Sequence, residues 1–224
     1  MSEMLRCTQH DIVRAVTKIK ICGIKTLNDA NDAIHAGADY LGFNFYPKSV
    51  RHIDKETCAK ITSVVKREHP NIKLVGVFVN SSLDQVKNIL ETCYLDLAQL
   101  HGDETPEMLN ELNGKAFKAF RGIPADVSGY ARNESPALLV DASVKGLYGG
   151  SGVTADWSAV AELAKKYPLL LAGGLTQENV ADAVWRVKPW GVDVASGVEA
   201  GPGEKDAEKM LAFVRAIKQV ENRT

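Results

Sequence analysis

Residues Lys73–Leu100 read KLVGVFVNSSLDQVKNILETCYLDLAQL, and this stretch decides the fold. It opens with a β-branched and aromatic run, Lys73–Val79, and closes with a second apolar run, Leu95–Leu100. Between them Leu83, Val86, Ile89 and Leu90 recur at the three-to-four spacing of a helix with one apolar face. A strand, an amphipathic helix and a second strand in succession form the unit from which parallel sheets are built.

The unit repeats on both sides. Strand candidates are Lys18–Cys22, Tyr40–Phe45, Lys73–Val79, Leu95–Leu100, Ala116–Phe120, Ala137–Asp141, Leu169–Ala172 and Val192–Ala195, each followed by a plausible helix. Thr26 with Asp29 and Asp54 with Thr57 are suited to cap helices, and Thr176 with Glu178 suits the positive end of a helix dipole. Met210, Leu211, Val214 and Ile217 give the final helix an apolar stripe. The unit after the fifth strand, Gly122–Glu134, is the weakest, because Pro124 and Gly129 leave room only for a short or irregular helix.

Eight parallel strands can stay open or close. Eight units of about 25 residues match the repeat of a closed barrel. The expected fold is therefore a single (βα)8 TIM barrel over residues 18–224, preceded by an amino-terminal extension over residues 1–17. Within that extension Asp11–Val16 reads as a short helix against the barrel bottom or as a disordered tail, with partial order favoured.

The 224 residues are 45% hydrophobic, enough for one sizeable core. Their 27 basic and 28 acidic side chains leave a formal charge of −1, so no footprint for nucleic acid or anionic lipid is present. Charged residues interrupt residues 1–16, and no run reaches the roughly 20 apolar residues of a membrane span. Cys7, Cys22, Cys58 and Cys93 form neither a Cys-x-x-Cys pair nor a Cys/His cluster, which gives no support to zinc or a disulfide framework. A cytoplasmic protein acting on a small molecule is expected, with a monomer favoured and no metal or cofactor.

In such a barrel, chemistry collects where strands end. Gly173-Gly174-Leu175-Thr176 follows the seventh strand and Ser196-Gly197-Val198-Glu199 the eighth. Each loop alone reads equally as a tight turn. Together they occupy the two places where barrels commonly hold phosphate, and glycine lets backbone N–H groups approach an anion. Cys22 ends the first strand and Asp141 the sixth. Singly, one reads as an inert buried thiol and the other as a turn cap. On opposite sides of one mouth they offer the acid and base of a proton-shifting isomerisation, with nearby positive charge, helix N-termini or bound substrate as candidates for lowering the thiol's pKa.

The ordered set Lys20-Ile21-Cys22-Gly23-Ile24, Gly42-Phe43 with Pro47-Lys48-Ser49 and Arg51, Val75-Gly76-Val77-Phe78, Gln99-Leu100-His101-Gly102, Leu139-Val140-Asp141, Gly149-Gly150-Ser151-Gly152, Ala172-Gly173-Gly174-Leu175 and Val192-Asp193-Val194 with Ser196-Gly197-Val198-Glu199 resembles the phosphoribosylanthranilate isomerase family. The resemblance runs from Lys18 to the final helix. It implies an Amadori rearrangement of N-(5′-phosphoribosyl)anthranilate in tryptophan biosynthesis. Asp141 would protonate the furanose ring oxygen, Cys22 would take the proton from C2, and Gly173, Gly174, Ser196 and Gly197 would hold the phosphate. Arg51 matches the position near the anthranilate carboxylate, and His101 would contact the anthranilate or orient a neighbour. The long segment Ser143–Trp157, with glycines at 146, 149, 150 and 152, reads as a lid or as a plain surface loop. Ala195 stands where the family often has a second serine.

Two other readings stay open at this level. The related sugar isomerase of histidine biosynthesis carries an Asp at the end of strand one, where this chain has Cys22, and it has a second Gly-rich phosphate loop, where this chain has Val79-Asn80-Ser81-Ser82. A catalytically silent metabolite-binding barrel would need no facing acid and base.

Overall fold

A computed structural model describes residues 16–132, 134–142 and 157–222. All of the expected helix at Asp11–Val16 except Val16, nearly all of the 1–17 extension, Cys7, the Gly149–Gly152 motif and all of the Ser143–Trp157 loop except Trp157 lie outside the described residues.

Eight parallel strands close on themselves in chain order: β1 Lys18–Cys22, β2 Tyr40–Asn44, β3 Lys73–Phe78, β4 Leu97–Leu100, β5 Ala116–Arg121, β6 Leu138–Asp141, β7 Leu169–Ala172 and β8 Gly191–Val194. The seam pairs Lys18, Ile19, Lys20 and Ile21 of β1 with Gly191, Val192, Asp193 and Val194 of β8. Around this barrel lie α1 Leu27–Ala36, α2 Lys55–Glu68, α3 Leu83–Thr92, α4 Pro106–Glu111, α5 Trp157–Ala164, α6 Val180–Val187 and α7 Ala207–Glu221.

Local chemistry sets the helix starts. Thr26 and Asp29 form a reciprocal capping box on α1, and Ser82 with Gln85 does the same on α3. The Asp54 carboxylate accepts from the N–H of Thr57 at 2.8 Å and so caps α2. After β7 the regular helix begins at Val180, four residues past the expected start. The turn between is held by Thr176, whose carbonyl accepts from the N–H of Val180 at 3.0 Å.

Two further departures from expectation occur on opposite sides. No helix separates β5 from β6 among the described residues; Gly122 (φ 77°) and Pro124 break the backbone pattern a helix requires. After β8 the chain makes a 3-10 turn, Ser196–Val198, and a short hairpin, β9 Glu199–Gly201 with β10 Glu204–Lys205, before α7.

Strand alternation sorts the side chains. Ile19, Ile21, Leu41, Phe43, Leu138, Val140, Val192 and Val194 pack outward in the large core shared with the helices. Tyr40, Val75, Phe117, Ala119, Leu139, Leu170 and Ala172 fill the barrel interior. The same alternation turns Lys20 and Cys22 of β1, Gln99 of β4, Asp141 of β6 and Asp193 of β8 inward. One end of the interior is therefore polar.

Candidate active site

Cys22 and Asp141 are the last residues of β1 and β6, which stand three strands apart the short way round the barrel. His101 follows β4 directly, its N–H donating to the Phe78 carbonyl at 2.8 Å. The imidazole lies within the fields of Asp141, Arg121, Asp193 and Lys20, so the ends of β1, β4, β5, β6 and β8 open on one site. Burial, acting first, lowers the His101 pKa, which keeps the ring neutral near pH 7. Its Nδ1 meets Gln99 Nε2 at 3.3 Å, while His101 Nε2 and Gln99 Oε1 are buried without a protein partner among the described residues.

The Cys22 sulfur is buried against β2 at a place only glycine permits. A Cβ on Gly42 would lie 2.8 Å from Cys22 Sγ and 3.1 Å from Lys20 Nζ. Burial pushes the thiol pKa up, and the Lys20 ammonium is the strongest opposing influence. Of the influences that could favour the thiolate, nearby positive charge is the one the structure places at Cys22, on a lysine of the same strand. Lys20 is fully buried, with Nζ donating to Asp193 Oδ1 at 2.6 Å. Burial works to lower its pKa, but Asp193 and then Cys22 outweigh that effect and leave it raised, so the side chain is an ammonium.

Arg51 is not a solvated arginine. Its stem crosses Gly23, where an added Cβ would meet Arg51 Cδ at 2.6 Å. Its Nε and one Nη donate to the two oxygens of Glu199, each at 2.7 Å. Lys205 Nζ donates to the same carboxylate at 2.9 Å and to the Ala195 carbonyl at 3.0 Å. Burial would raise the Glu199 pKa, but Arg51 and Lys205 hold it below its ordinary value. A guanidinium has two bidentate edges. Glu199 takes the Nε side, and the edge formed by the two Nη atoms remains for a second carboxylate.

The two glycine loops meet. A Cβ on Gly197 would overlap the Leu175 carbonyl, so the turn after β8 sits directly on the loop after β7. Gly173 and Gly174 have φ of 99° and 65°, and the side of Gly174 that would carry a Cβ faces open space. Positive φ at two successive residues is backbone that glycine adopts freely, and the missing side chains leave the main chain of this loop bare to an approaching anion.

All eight sequence-derived residues therefore lie on the carboxyl-end loops or strand ends of the barrel. Sequence reasoning missed Lys20, Asp193, Glu199 and Lys205. For the first two a signal existed: each stands two residues from a functional strand end or within a flanking pair of outward valines or isoleucines, which places it on the inward face. For Glu199 and Lys205 the Gly201-Pro202-Gly203 turn marks a hairpin, but the turn alone does not say that the two side chains meet Arg51.

The family model for N-(5′-phosphoribosyl)anthranilate (PRA) isomerase matches residues 19–216. A relative named N-(5′-phosphoribosyl)anthranilate isomerase, from Geotalea uraniireducens (strain Rf4), is 45% identical over 207 residues, covering 91% of this chain and 99% of its own. The crystal structure of phosphoribosyl anthranilate isomerase from Thermotoga maritima is similar at 34% identity and a TM-score of 0.80, covering 91% of this chain and all of that one. A structure of the same enzyme in complex with reduced 1-(o-carboxyphenylamino)-1-deoxyribulose 5-phosphate is similar at 31% identity and a TM-score of 0.75, with the coverage again 91% and 100%.

Proposed function

From the premise that the chain belongs to the N-(5′-phosphoribosyl)anthranilate isomerase family, we propose how its own residues carry that reaction. The protein is an isomerase of tryptophan biosynthesis, and its substrate is a phosphorylated small molecule. Asp141 is the general acid and Cys22 the general base. Asp141 protonates the furanose ring oxygen as the bond from that oxygen to C1 breaks, leaving an iminium between C1 and the anthranilate nitrogen. The Cys22 thiolate removes the proton from C2, and the electron pair moves to give an enolamine. Tautomerisation then places a proton on C1 and forms the ketone at C2. Hydrogen moves within one molecule, so the balance needs no oxidant or reductant.

The observation that carries this reading is the convergence of Cys22, Asp141, Arg51 and two glycine loops on one end of a closed barrel. Gly173, Gly174, Ser196 and Gly197 hold the phosphate. Arg51, fixed on one edge by Glu199, offers its other edge to the anthranilate carboxylate. His101, neutral and with an unpartnered Nε2, is a substrate contact rather than a proton carrier. On this reading residues 18–224 are the catalytic domain and residues 1–17 an amino-terminal extension. Among the described residues no helix is long and apolar enough to cross a membrane. The enzyme is read as cytoplasmic, with a monomer favoured.

The test uses Cys22→Ala and Asp141→Asn. Each lowers turnover by about 100-fold or more, as lost general acid–base catalysis does, while the circular dichroism stays that of the wild type. Wild-type turnover in either folded variant removes that residue from the mechanism.

A further inference from the structure

One buried charge in the barrel remains unused by the steps above. Lys20 sits two residues before Cys22 on the inward face of β1, and none of its surface reaches solvent. Its partner Asp193 stands across the seam on β8, 173 residues away in sequence, at 2.6 Å. Taking an ammonium and a carboxylate out of water costs more than their attraction commonly returns, so fold stability is a weak reason for the pair.

We propose, on the reading of Cys22 as the base, that Lys20 is a positioning residue: its ammonium, aimed by Asp193, works against the burial of Cys22 and so favours the thiolate that abstracts the C2 proton. The geometry behind this is a shared contact. Cys22 Sγ and Lys20 Nζ both converge on the bare face of Gly42, each within van der Waals reach of one added Cβ. The two atoms thus lie within the roughly 6 Å over which an opposite charge strongly favours an ionised form. Asp193 fixes the ammonium without neutralising the effect, because Nζ has three donors and only one is spent on the carboxylate.

Other charges face the same sulfur. Asp193 on β8 works with burial against the thiolate, and Lys205 on β10 works for it. Arg51, beyond Gly23, also senses Cys22, but its guanidinium is tied to Glu199. His101 at the end of β4 senses Lys20 and Asp193 and is itself neutral. Among these groups Lys20 acts most strongly in favour of the thiolate.

The experiment compares wild type, Lys20→Met and Lys20→Met/Asp193→Asn, the last leaving no unpaired buried carboxylate should the single variant fail to fold. The alkylation rate of Cys22 by iodoacetamide, read by mass on the peptide that contains it, is followed against pH together with kcat/KM. The thiol inflection and the acid limb of kcat/KM should both move to higher pH, by about one unit or more in Lys20→Met, a tenfold loss of kcat/KM on that limb. The double variant should move the same way by less, since it also loses the opposing carboxylate. Raising the pH should restore turnover, with KM little changed, which a merely structural lysine would not produce. An inflection in the folded double variant that is unmoved or lower overturns the proposal alone. Wild-type turnover in Cys22→Ser overturns the base assignment and the proposal with it.

Discussion

Replacing Gly42 by alanine adds one methyl group beside the base. The backbone of Gly42 lies outside the left-handed region, so alanine brings no conformational strain and acts through contact alone. The new Cβ would stand 2.8 Å from Cys22 Sγ and 3.1 Å from both Cys22 Cα and Lys20 Nζ. A carbon and a heavier non-bonded atom rest at about 3.5–4.0 Å, and the strand backbone cannot yield as a side chain does, so the sulfur retreats by about 1 Å. Misplacement on that scale costs about 100-fold in rate, or about 2.7 kcal/mol of transition-state stabilisation. Overpacking costs about 1–3 kcal/mol of stability, less than a typical domain's reserve of about 5–15 kcal/mol, so the variant folds. The assay generates the labile substrate in situ and follows anthranilate fluorescence. It should show kcat reduced about 100-fold and KM changed by less than about threefold, because Arg51 and the glycine loops are untouched. A folded Gly42→Ala with wild-type kcat would show that the position of the sulfur does not limit the reaction, and the reasoning would fail.

Gly174→Val should raise KM about tenfold or more with a smaller effect on kcat, because a β-branched residue is strained at φ 65° and its side chain would fill the open space in the phosphate cradle. Steady-state kinetics decide this, and an unchanged KM would place the phosphate elsewhere. Acid stability should depend on Glu104. Burial alone would raise its pKa, but Lys118, at 2.7 Å, and the N–H of Asn80 hold it below the ordinary value of 4.5. The folded pKa is depressed, so the stability it contributes is complete above about pH 4.5 and is lost as pH falls from there through the folded value. Urea unfolding between about pH 3 and 6 should therefore show a shallower pH slope in Glu104→Gln than in wild type; equal slopes would refute it.

The barrel was legible because a buried parallel strand announces itself by a short apolar run and its helix by a wider period; the strand recurs eight times and, among the described residues, the helix seven, with little chain between. The site was legible where function coincides with a strand end, as at Cys22 and Asp141, or with paired glycines, as at Gly173 and Gly174. It was obscured where a charge sits inside a strand. Lys18-Ile19-Lys20-Ile21-Cys22 has the alternation of a strand with one wet face, and only closure of the barrel turns Lys20 into the interior. Glu199 escaped notice because its partner Arg51 comes from a loop 148 residues earlier, and because the Gly201-Pro202-Gly203 turn that brings Lys205 to it reads first as a plain connection to the last helix. The segment after β5 was legible only in part: Pro124 and Gly129 pointed on local grounds to a short or irregular helix, and among the described residues none forms.

The ion pair between Lys20 and Asp193 ties catalysis to the order in which the chain is made. Its halves belong to the first and last strands of the barrel, so the amino-terminal half emerges from the ribosome long before the partner carboxylate exists. At about 5–20 residues per second, Lys20 waits on the order of ten seconds or more. Until then its ammonium has to remain hydrated, which disfavours any partial sheet that would bury the inward face of β1 early. Docking of β8 is thus both the event that completes the hydrogen-bonded ring and the one that permits this lysine to leave water. A nascent or truncated chain without β8 can pair strands, but it cannot assemble the charged floor of the site, so synthesis yields an active catalyst only once the ends of the barrel have met.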